Sequence, residues 1–513
     1  MGLFLALFII VFALSGIVLN HRGLLSAYTS SRSWMPSEYQ FKNWNNASLK
    51  KIIPYENEYL HYGLMGVWKS DSQFSNFENY NQGFPKGSDN RKVEALLVSD
   101  EGGIYAATQL GLFFRRDSQT SWEKVGLPLE EERIIDLRAL NDTIYILSRS
   151  HLITTPDQPY NWNFQEKRIS TPTGYSDKIG LFKTLWEIHS GEMLGITGML
   201  IVDLMGLILI FLSFSGIIFF TLPRTTKKLR QAIRQKWMRF NRSNIKWHNK
   251  IGIWTVIILV ITTATGMFLR PPLLIPIANT KVSKIKYTHL DSPNPWNDKL
   301  RRIIHDDMSN RFILCTLDGI YECNSDFSKV VPFRNQPPVS VMGVNILEKK
   351  DNGAFLIGSF SGLYLWYPNH GMVIDYLSKQ KHVPVQRMGP PISNVMASGY
   401  YSDTNENEYL FDYNKGVIPI GHSRQFIKMP ETIEENTPMP LWNLALEFHT
   451  GRFYKFFLGD FYILVIPLMG LTILFILISG TLVWFKYHYR KPNKRTKGGL
   501  VKQRAKTKLK LIL

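Results

Sequence analysis

Apolar residues are concentrated in four long blocks along the chain. The blocks cover residues 3–19, 193–222, 251–269 and 456–485. Each reaches or approaches the roughly 20 apolar residues that a helix needs to cross a hydrocarbon core about 30 Å thick. Buried helices of soluble proteins rarely stay apolar over such a length. The pattern therefore predicts four membrane-spanning helices.

The second and fourth blocks are preceded by the same short motif, Glu-x-His-x-Gly. Its copies are residues 187–191 and 447–451. Both following blocks carry Met-Gly-Leu in the middle and contain a Ser-Gly step near the end, at residues 215–216 and 479–480. The repetition predicts a four-helix bundle built from a duplicated two-helix unit.

The first block matches the third in the same way. Residues 2–16 and 252–266 both begin with Gly and end in a Ser-Gly or Thr-Gly step. The match favours a membrane anchor over a cleaved signal peptide. Trp247 and His248 precede the third block, and the corresponding positions of the first copy would fall before Met1. We therefore expect a short upstream segment that contains a histidine.

The net charge of +19 comes from two segments that lie beside the apolar blocks. Residues 224–250 hold ten Lys/Arg and residues 486–513 hold eleven, with no acid in either, so the rest of the chain sums to −2. Basic segments beside spans mark the cytoplasmic side and favour contact with anionic lipid headgroups. Nucleic-acid binding is disfavoured, because the charge follows the membrane topology.

This topology places both termini in the cytoplasm and two large segments on the outer side of the membrane. The predicted segments are transmembrane helix 1 (1–21), periplasmic segment A (22–185), transmembrane helix 2 (186–223), a basic cytoplasmic loop (224–247), transmembrane helix 3 (248–270), periplasmic segment B (271–440), transmembrane helix 4 with a periplasmic extension (441–486) and a basic cytoplasmic tail (487–513).

The two periplasmic segments contain a β-type repeat. An apolar pair is followed by Gly seven residues after its first member, and then by further apolar residues. Copies begin at residues 104, 144, 312, 355 and 409, and the copy at 144 has His151 in place of Gly. The spacings of 40, 43 and 54 residues resemble the repeat length of propeller blades. The fold class is thus an α+β membrane protein, with either one propeller-like domain or two sandwich-like domains.

Both cysteines of the chain, Cys315 and Cys323, lie in segment B. An oxidising compartment would allow them to form a disulfide. A tight hairpin at Asp318-Gly319, however, would pair Cys315 with Glu322 and place Cys323 on the other face of the sheet. The sequence leaves the disulfide open.

Four histidines near the ends of the spans are candidate haem ligands. His189, His449 and His21 lie at the outer ends of their spans, and His248 lies at the inner edge of the third span. Neutral imidazole is a good iron ligand, and helix bundles hold haem between facing histidines. The duplication predicts that His189 and His449 form an outer pair, and that His248 pairs with the expected upstream histidine. The alternative for each is an interfacial polar residue or a helix cap.

Three acidic residues accompany these histidines. Asp203 lies within the second span, where an unpaired carboxylate is costly; it is either a proton or cation contact or a hydrogen-bonding partner in the bundle, and we favour the second. Glu187 and Glu447 precede the outer histidines by two residues and are candidates for structural or proton-linked roles. If His449 and the fourth span form one helix, its face matches that of the first copy to within about 40°.

These residues resemble those of the PepSY-associated transmembrane proteins, a bacterial inner-membrane family that includes ferric-siderophore reductases. The resemblance rests on Trp247-His248-x-x-x-Gly252, the Thr265-Gly266 step, His449-Thr450-Gly451, the Ser479-Gly480 step and Trp484. It implies b-type haems held between histidines of a four-helix core. It also implies electron flow from the cytoplasm or a quinol pool to a periplasmic ferric complex.

The function expected from the resemblance is that of a ferric (siderophore) reductase, an oxidoreductase of iron uptake. Its partners would be the lipid bilayer, a ferric siderophore or other iron complex, and an electron donor that is a quinol or a cytoplasmic reductase. The sequence has no Gly-x-Gly-x-x-Gly motif after a predicted strand, so it shows no sign of a built-in nicotinamide or flavin site. The alternatives are a non-enzymatic sensor or accessory subunit with a ligand-binding β-domain, and a transporter.

Overall fold

The β-rich part of the chain folds into six small antiparallel sheets arranged as a ring. The computed structural model describes residues 2–129, 133–383 and 393–489. Each sheet is a meander of consecutive strands. We number the sheets as blades 1 to 6. Blade 1 comprises β2 (Lys51–Tyr55), β3 (Glu58–Gly63), β4 (Gly66–Ser70) and β5 (Phe77–Asn79); blade 2 comprises β6 (Val93–Ser99), β7 (Gly103–Thr108), β8 (Gly111–Arg115) and β9 (Glu123–Val125); blade 3 comprises β10 (Ile134–Leu140), β11 (Thr143–Ser148), β12 (Leu152–Pro156) and β13 (Gln165–Lys167). Blade 4 comprises β16 (Leu300–Asp306), β17 (Arg311–Thr316), β18 (Ile320–Cys323) and β19 (Val330–Pro332); blade 5 comprises β20 (Val344–Lys349), β21 (Phe355–Ser359), β22 (Gly362–Tyr367) and β23 (Met372–Asp375); blade 6 comprises β24 (Ala397–Ser402), β25 (Glu408–Asp412) and β26 (Gly416–Ile420).

Buried apolar clusters between neighbouring blades close the ring. Each cluster joins residues of two adjacent blades, in the order 1–2, 2–3, 3–4, 4–5 and 5–6. The sixth cluster joins blade 1 to blade 6 through Trp44, Ile52 and Phe411, among others. Three blades come from segment A and three from segment B. The two segments therefore form one six-bladed propeller, and the alternative of two separate sandwiches is wrong.

The repeat seen in the sequence is the hairpin between the second and third strands of each blade. In five blades the Gly begins or directly precedes the third strand with a positive φ, between 82° and 138°, a conformation that favours glycine. The sequence analysis identified five of the six copies. The sixth, in blade 1, begins at Tyr59 and has Gly66 seven residues later.

The helices form a bundle on one side of the propeller. They are α1 (Gly2–Asn20), α2 (Arg22–Leu25), α3 (Leu181–Ser190), α4 (Gly195–Thr225), α5 (Gln231–Phe268), α6 (Glu431–Glu435), α7 (Leu441–His449), α8 (Lys455–Leu458) and α9 (Val465–Tyr489). Among the described residues, the segments that contain α4, α5 and α9 are long and apolar enough to cross a membrane. Helix α1 is also apolar but shorter by the same measure, so four spans are not established.

Two predicted boundaries differ from the helices that form. Residues 231–247, predicted as part of a cytoplasmic loop, are the first turns of α5, because nothing between Gln231 and Phe268 breaks a helix. Residues 186–223, predicted as one span, and residues 441–486, predicted as a span with a periplasmic extension, are each interrupted: α3 and α7 end just before a glycine and a new helix follows. His449 and the fourth span therefore do not form one helix, and the expectation of a matching helical face was wrong. The predicted basic tail after Tyr489 lies outside the described residues.

The bundle repeats one packing arrangement twice. Helix α1 packs on α4, where a Cβ on Gly206 would lie 3.3 Å from Ile17. Helix α5 packs on α9, where a Cβ on Gly470 would lie 2.1 Å from Met267. Both glycines belong to the Met-Gly-Leu repeat, and a small residue there lets the two helices approach closely. Helix α4 also packs on α5 and joins the two pairs.

The two halves of the chain exchange their connections to the propeller. Strand β1 (Thr29–Ser30), which follows α1, pairs with β27 (Met439–Pro440), which precedes α7. Strand β15 (Lys281–Ser283), which follows α5, pairs with β14 (Lys178–Gly180), which precedes α3. The duplication therefore extends through the whole chain: each half is a long helix, three blades, a short helix and a second long helix.

The cysteines are free and lie in different cores. Cys315 belongs to the cluster between blades 4 and 5, and Cys323 to the cluster between blades 3 and 4. The opposite faces were predicted correctly. The predicted register was wrong, because Cys315 lies opposite Ile320.

Closure of the ring predicts a large effect of Trp44→Ala. The Trp44 side chain is fully buried between blades 1 and 6, and its Nε1 donates to the Ile427 carbonyl at 2.8 Å. Removing it should lower the free energy of unfolding by about 3–5 kcal/mol. Trp34→Ala is the control, since Trp34 is 55% exposed and should cost far less. Thermal unfolding of the purified protein in detergent measures both; equal effects would contradict this account.

Burial of His61 predicts a pH dependence of propeller stability. Burial lowers the pKa of His61 to about 3, whereas the unfolded chain has about 6.5. Between these values the unfolded chain binds more protons, so stability falls as the pH falls from about 6.5. Protonation of this one group in the unfolded chain should lower the free energy of unfolding by about 2 kcal/mol between pH 7 and pH 5. His61→Phe should flatten this slope in denaturant titrations, and His422→Phe, at an exposed histidine, should leave it unchanged.

Candidate functional site

His189 and His449 lie side by side at the end of the bundle that faces the propeller. Their ring centroids are 5.8 Å apart. His189 is in the last turn of α3, and His449 is the last residue of α7. Gly191 follows α3 with a φ of 85°, and Gly451 follows α7 with a φ of 76°. These glycines end the short helices in the left-handed conformation, so the chain turns away and leaves both rings in the bundle.

Each of these rings is seated on a helix of the opposite half. The Nδ1 of His189 donates to the Thr262 carbonyl on α5 at 2.8 Å, and a Cβ on Gly266 would lie 2.6 Å from its ring. The Nδ1 of His449 donates to the Phe12 carbonyl on α1 at 3.0 Å, and a Cβ on Gly16 would lie 3.2 Å from its ring. A side chain at either glycine would therefore displace the imidazole.

The hydrogen bonds determine which ring nitrogen is free. A carbonyl oxygen can only accept, so Nδ1 carries the proton in both His189 and His449. The lone pair of each neutral ring is then on Nε2. A hydrogen bond from Nδ1 to a carbonyl is also what orients metal-binding histidines in proteins. Both rings are therefore arranged as potential ligands through Nε2.

His248 has the same kind of seat at the other end of the bundle. Its Nδ1 lies 2.6 Å from the Ser215 hydroxyl, and its ring lies against Gly216. The hydroxyl of Ser215 donates to the Leu212 carbonyl, so its oxygen accepts from His248. Fourteen residues of α5 separate His248 from Thr262, which corresponds to about 21 Å along the helix axis. Among the described residues, three of the four Ser-Gly and Thr-Gly steps near the ends of the apolar blocks thus lie against a histidine ring.

Asp203 is a hydrogen-bonding partner within the bundle. Its Oδ1 accepts from the Asn20 amide at 2.9 Å, and its Oδ2 lies 2.6 Å from Nε2 of His21. This pairing ties the end of α1 to α4. These two contacts are of the kind that the favoured bundle role of Asp203 requires. His21 uses its Nε2 in this contact, so it has a partner other than the two paired histidines.

The glutamates of the two motifs attach the short helices to the opposite half. Glu187 lies 3.4 Å from Nδ1 of His289, in the segment that follows α5. Glu447 accepts from the Tyr39 hydroxyl at 2.9 Å, in the segment that follows α1, and pairs with Arg452 at 2.5 Å. Burial raises the pKa of Glu187, whose Oε2 has no partner among the described residues. Their predicted structural role agrees with these contacts, whereas a proton-linked role stays a prediction.

A cavity of 2380 Å³ joins the propeller to the paired histidines. Its upper wall is formed by residues at the starts of the first strands of the blades. Its lower end enters the bundle, where the lining includes His189, His449 and one glycine from each of the four long helices: Gly16, Gly206, Gly266 and Gly470. The site therefore lies at the bottom of a large open space, and glycines leave room beside the rings.

The residues present fit a haem better than a bare metal ion. No group of three or more His, Cys, Asp or Glu that could hold a metal ion occurs in the part of the chain that the structure describes. Two imidazoles suffice for haem, because the porphyrin supplies the other ligands. Ring centroids 5.8 Å apart suit a shared metal atom, since metal–imidazole nitrogen distances are about 2 Å.

Several residues that contact the paired histidines were not predicted to do so from the sequence. Phe12 and Thr262 act through main-chain carbonyls, which no side-chain pattern reveals. Gly16 and Gly266 were noted only as markers of the repeat. The signal that could have assigned them is that each of the four apolar blocks contains a Ser-Gly or Thr-Gly step near its end, at matching positions of the two halves.

The fold and the site define a membrane protein with a large extramembrane propeller above a helix bundle. A family model described as the PepSY-associated TM region matches residues 156–487, more than half of the chain. The chain therefore belongs to the PepSY-associated transmembrane family. The lipid bilayer is the partner of its apolar helices.

Other comparisons give weaker similarity. No curated protein matches the sequence. One solved structure is the extracellular domain of a protein from B. thetaiotaomicron that is named as a one component system; it has 12% identity over 76% of this chain, with a TM-score of 0.35. Another is a GH74 xyloglucanase from Xanthomonas campestris, with 8% identity over 75% of this chain and a TM-score of 0.35. This chain covers 41% and 46% of the lengths of those chains.

Alanine at Gly266 and alanine at Gly480 should have different effects on the stability of the bundle, because, of the two, only Gly266 lies against a histidine ring among the described residues. Gly266→Ala places a methyl group 2.6 Å from His189 and should destabilise the bundle by about 1–3 kcal/mol. Gly480→Ala is the matched control, since no described atom lies within 4 Å of its Cβ position. It should be neutral or stabilising by up to about 1 kcal/mol. Thermal unfolding in detergent distinguishes the two, and similar shifts would refute the proposed seat.

Proposed function

We propose that the chain is a bacterial inner-membrane haem protein that transfers electrons across the membrane to a periplasmic ferric chelate, in iron acquisition. The observation that supports this most strongly is the pair of histidines, whose rings are 5.8 Å apart and whose Nδ1 atoms are both bound to main-chain carbonyls. In this proposal the chain acts as an oxidoreductase, a ferric reductase.

His189 and His449 would hold a haem b through their Nε2 atoms at the periplasmic end. The cavity beside these rings would supply the space for a large flat group. When bound, haem b supplies a one-electron carrier at this position. Asp203, Asn20 and His21 fix α1 against α4, and this contact keeps the seat of His449 in place.

His248 would hold a second haem near the cytoplasmic face. Its Ser215–Gly216 seat repeats the arrangement at the periplasmic end. Sites at both ends of α5 would allow electrons to enter on one side of the membrane and leave on the other.

The proposed topology puts both termini and the basic segments in the cytoplasm and the propeller in the periplasm, with α1 as the fourth span. The basic residues of 224–250, which include no acid, support this orientation. The donor would be a quinol or a cytoplasmic reductase. The substrate, a ferric siderophore or another ferric chelate, would accept one electron, and the resulting Fe(II) is released more readily from its chelator.

The alternative, a non-enzymatic sensor or accessory subunit, is not favoured by the family match. A chain that only anchored a sensor domain would not require two neutral imidazoles with free Nε2 atoms in the same space. The paired rings therefore favour the redox proposal.

The proposal predicts a visible spectrum for the purified full chain. Protein from haem-replete cells should show a Soret band that shifts on reduction. His189→Ala or His449→Ala should remove the haem of the periplasmic site, about half of the absorbance if both sites are filled, because one imidazole no longer suffices for six-coordinate low-spin iron. His422→Ala, at an exposed propeller histidine, is the control. A folded, colourless wild-type preparation would refute the proposal.

A further inference from the structure

The upper wall of the cavity carries an excess of positive charge. The lining includes 16 Lys/Arg and 10 Asp/Glu. The excess is concentrated where the first strands of blades 1 to 4 begin, at a mouth of the propeller that opens toward the bundle. We call this region the propeller mouth and define it by Lys50, Lys92, Arg133, Arg149 and Arg302, all of which line the cavity.

The acids near the propeller mouth are already shared between cations. Glu94 pairs with Lys50 and also with Lys92, the latter at 3.0 Å. Asp298 pairs with Arg149 at 2.8 Å and with Lys183 at 3.3 Å. Each carboxylate therefore serves two positive groups, and neither is left for a further cation.

Arg133 lies among these groups with its Nε buried. No group of the described residues forms a hydrogen bond with this Nε. Burial, followed by the neighbouring charge of Arg149, lowers the pKa of Arg133. A partly buried guanidinium whose Nε has no acceptor is costly, because part of its lost hydration is not replaced. An anion in the cavity would remove this cost.

We infer that the propeller mouth binds a carboxylate-bearing anion, with Arg133 as its main contact. A guanidinium offers donors in a planar fork that matches a carboxylate. The inference rests on the proposed function in one respect: because the same cavity reaches His189 and His449, the anion is identified with the ferric chelate that accepts the electron. The substrate is then an anionic chelate rather than a neutral or cationic one.

The test measures binding of redox-inert chelates to the full chain in detergent by titration calorimetry. Gallium(III) citrate represents the anionic chelate, the gallium complex of deferoxamine represents a cationic one, and citrate alone represents the free anion. Gallium citrate should bind most tightly and more weakly at high salt. Arg133→Gln should weaken its binding at least about tenfold, which corresponds to 1.4 kcal/mol. Arg168→Gln, at an exposed arginine outside the cavity, should leave it unchanged.

Thermal unfolding separates loss of the site from loss of the fold. Without ligand, Arg133→Gln should unfold at the same temperature as wild type or higher, because it removes a partly desolvated positive charge. Gallium citrate should raise the unfolding temperature of wild type and not of this variant. Arg133→Lys, which keeps the charge, should retain part of the binding if the glutamine variant fails to fold.

Three results would overturn the inference or a part of it. Wild-type affinity of Arg133→Gln for gallium citrate, or equal binding of the cationic chelate, would refute the anion site. Binding of free citrate as tight as that of gallium citrate would refute the chelate as its ligand. A colourless preparation that still binds gallium citrate through Arg133 would refute the proposed electron transfer and support the anion site.

Discussion

The docking of each short helix on the opposite half of the chain is the interaction on which the rest of the structure depends. Helix α3 packs on α5, and α7 packs on α1. The strands beside them cross in the same sense, β14 to β15 and β27 to β1. This exchange brings the two histidines together, and it joins the two three-bladed halves of the propeller to one bundle. Neither half could form the ring or the pair alone.

The three fixed residues of Glu-x-His-x-Gly perform three different tasks in this docking. The glycine ends the short helix in a left-handed turn, the histidine points into the bundle, and the glutamate holds the segment that follows the opposite long helix. Residues two apart on a helix face different directions, so Glu187 and His189 can contact the linker and the bundle at once. The packing and ligand interpretations of the motif are therefore compatible: the residues around the ring are structural, and the ring itself has a free Nε2.

The sequence predicted the periodic parts of this protein better than the contacts between them. The apolar blocks, the turn glycines and the duplication are local signals, and they indicated the helices, five of the six blade hairpins and the pairing of His189 with His449. The copy in blade 1, Tyr59-Leu60 followed by Gly66-Val67, was missed although it has the same pattern as the copy that begins at Tyr409. The unpaired Nε of Arg133 could not be predicted from the sequence, because it depends on which cations the nearby carboxylates pair with in the fold. The break between α7 and α9 was missed because most of residues 456–464, directly before α9, are themselves apolar.

The crossed seats also determine the order in which the protein can be assembled. His189 is synthesised long before its seat, since Thr262 and Gly266 follow it by more than seventy positions. The seat of His449, in contrast, lies in α1, which is synthesised more than four hundred positions before the ring. The pair therefore stays incomplete until α7 has been translated. Any group held between these rings must enter when α1, α4 and α5 are already made.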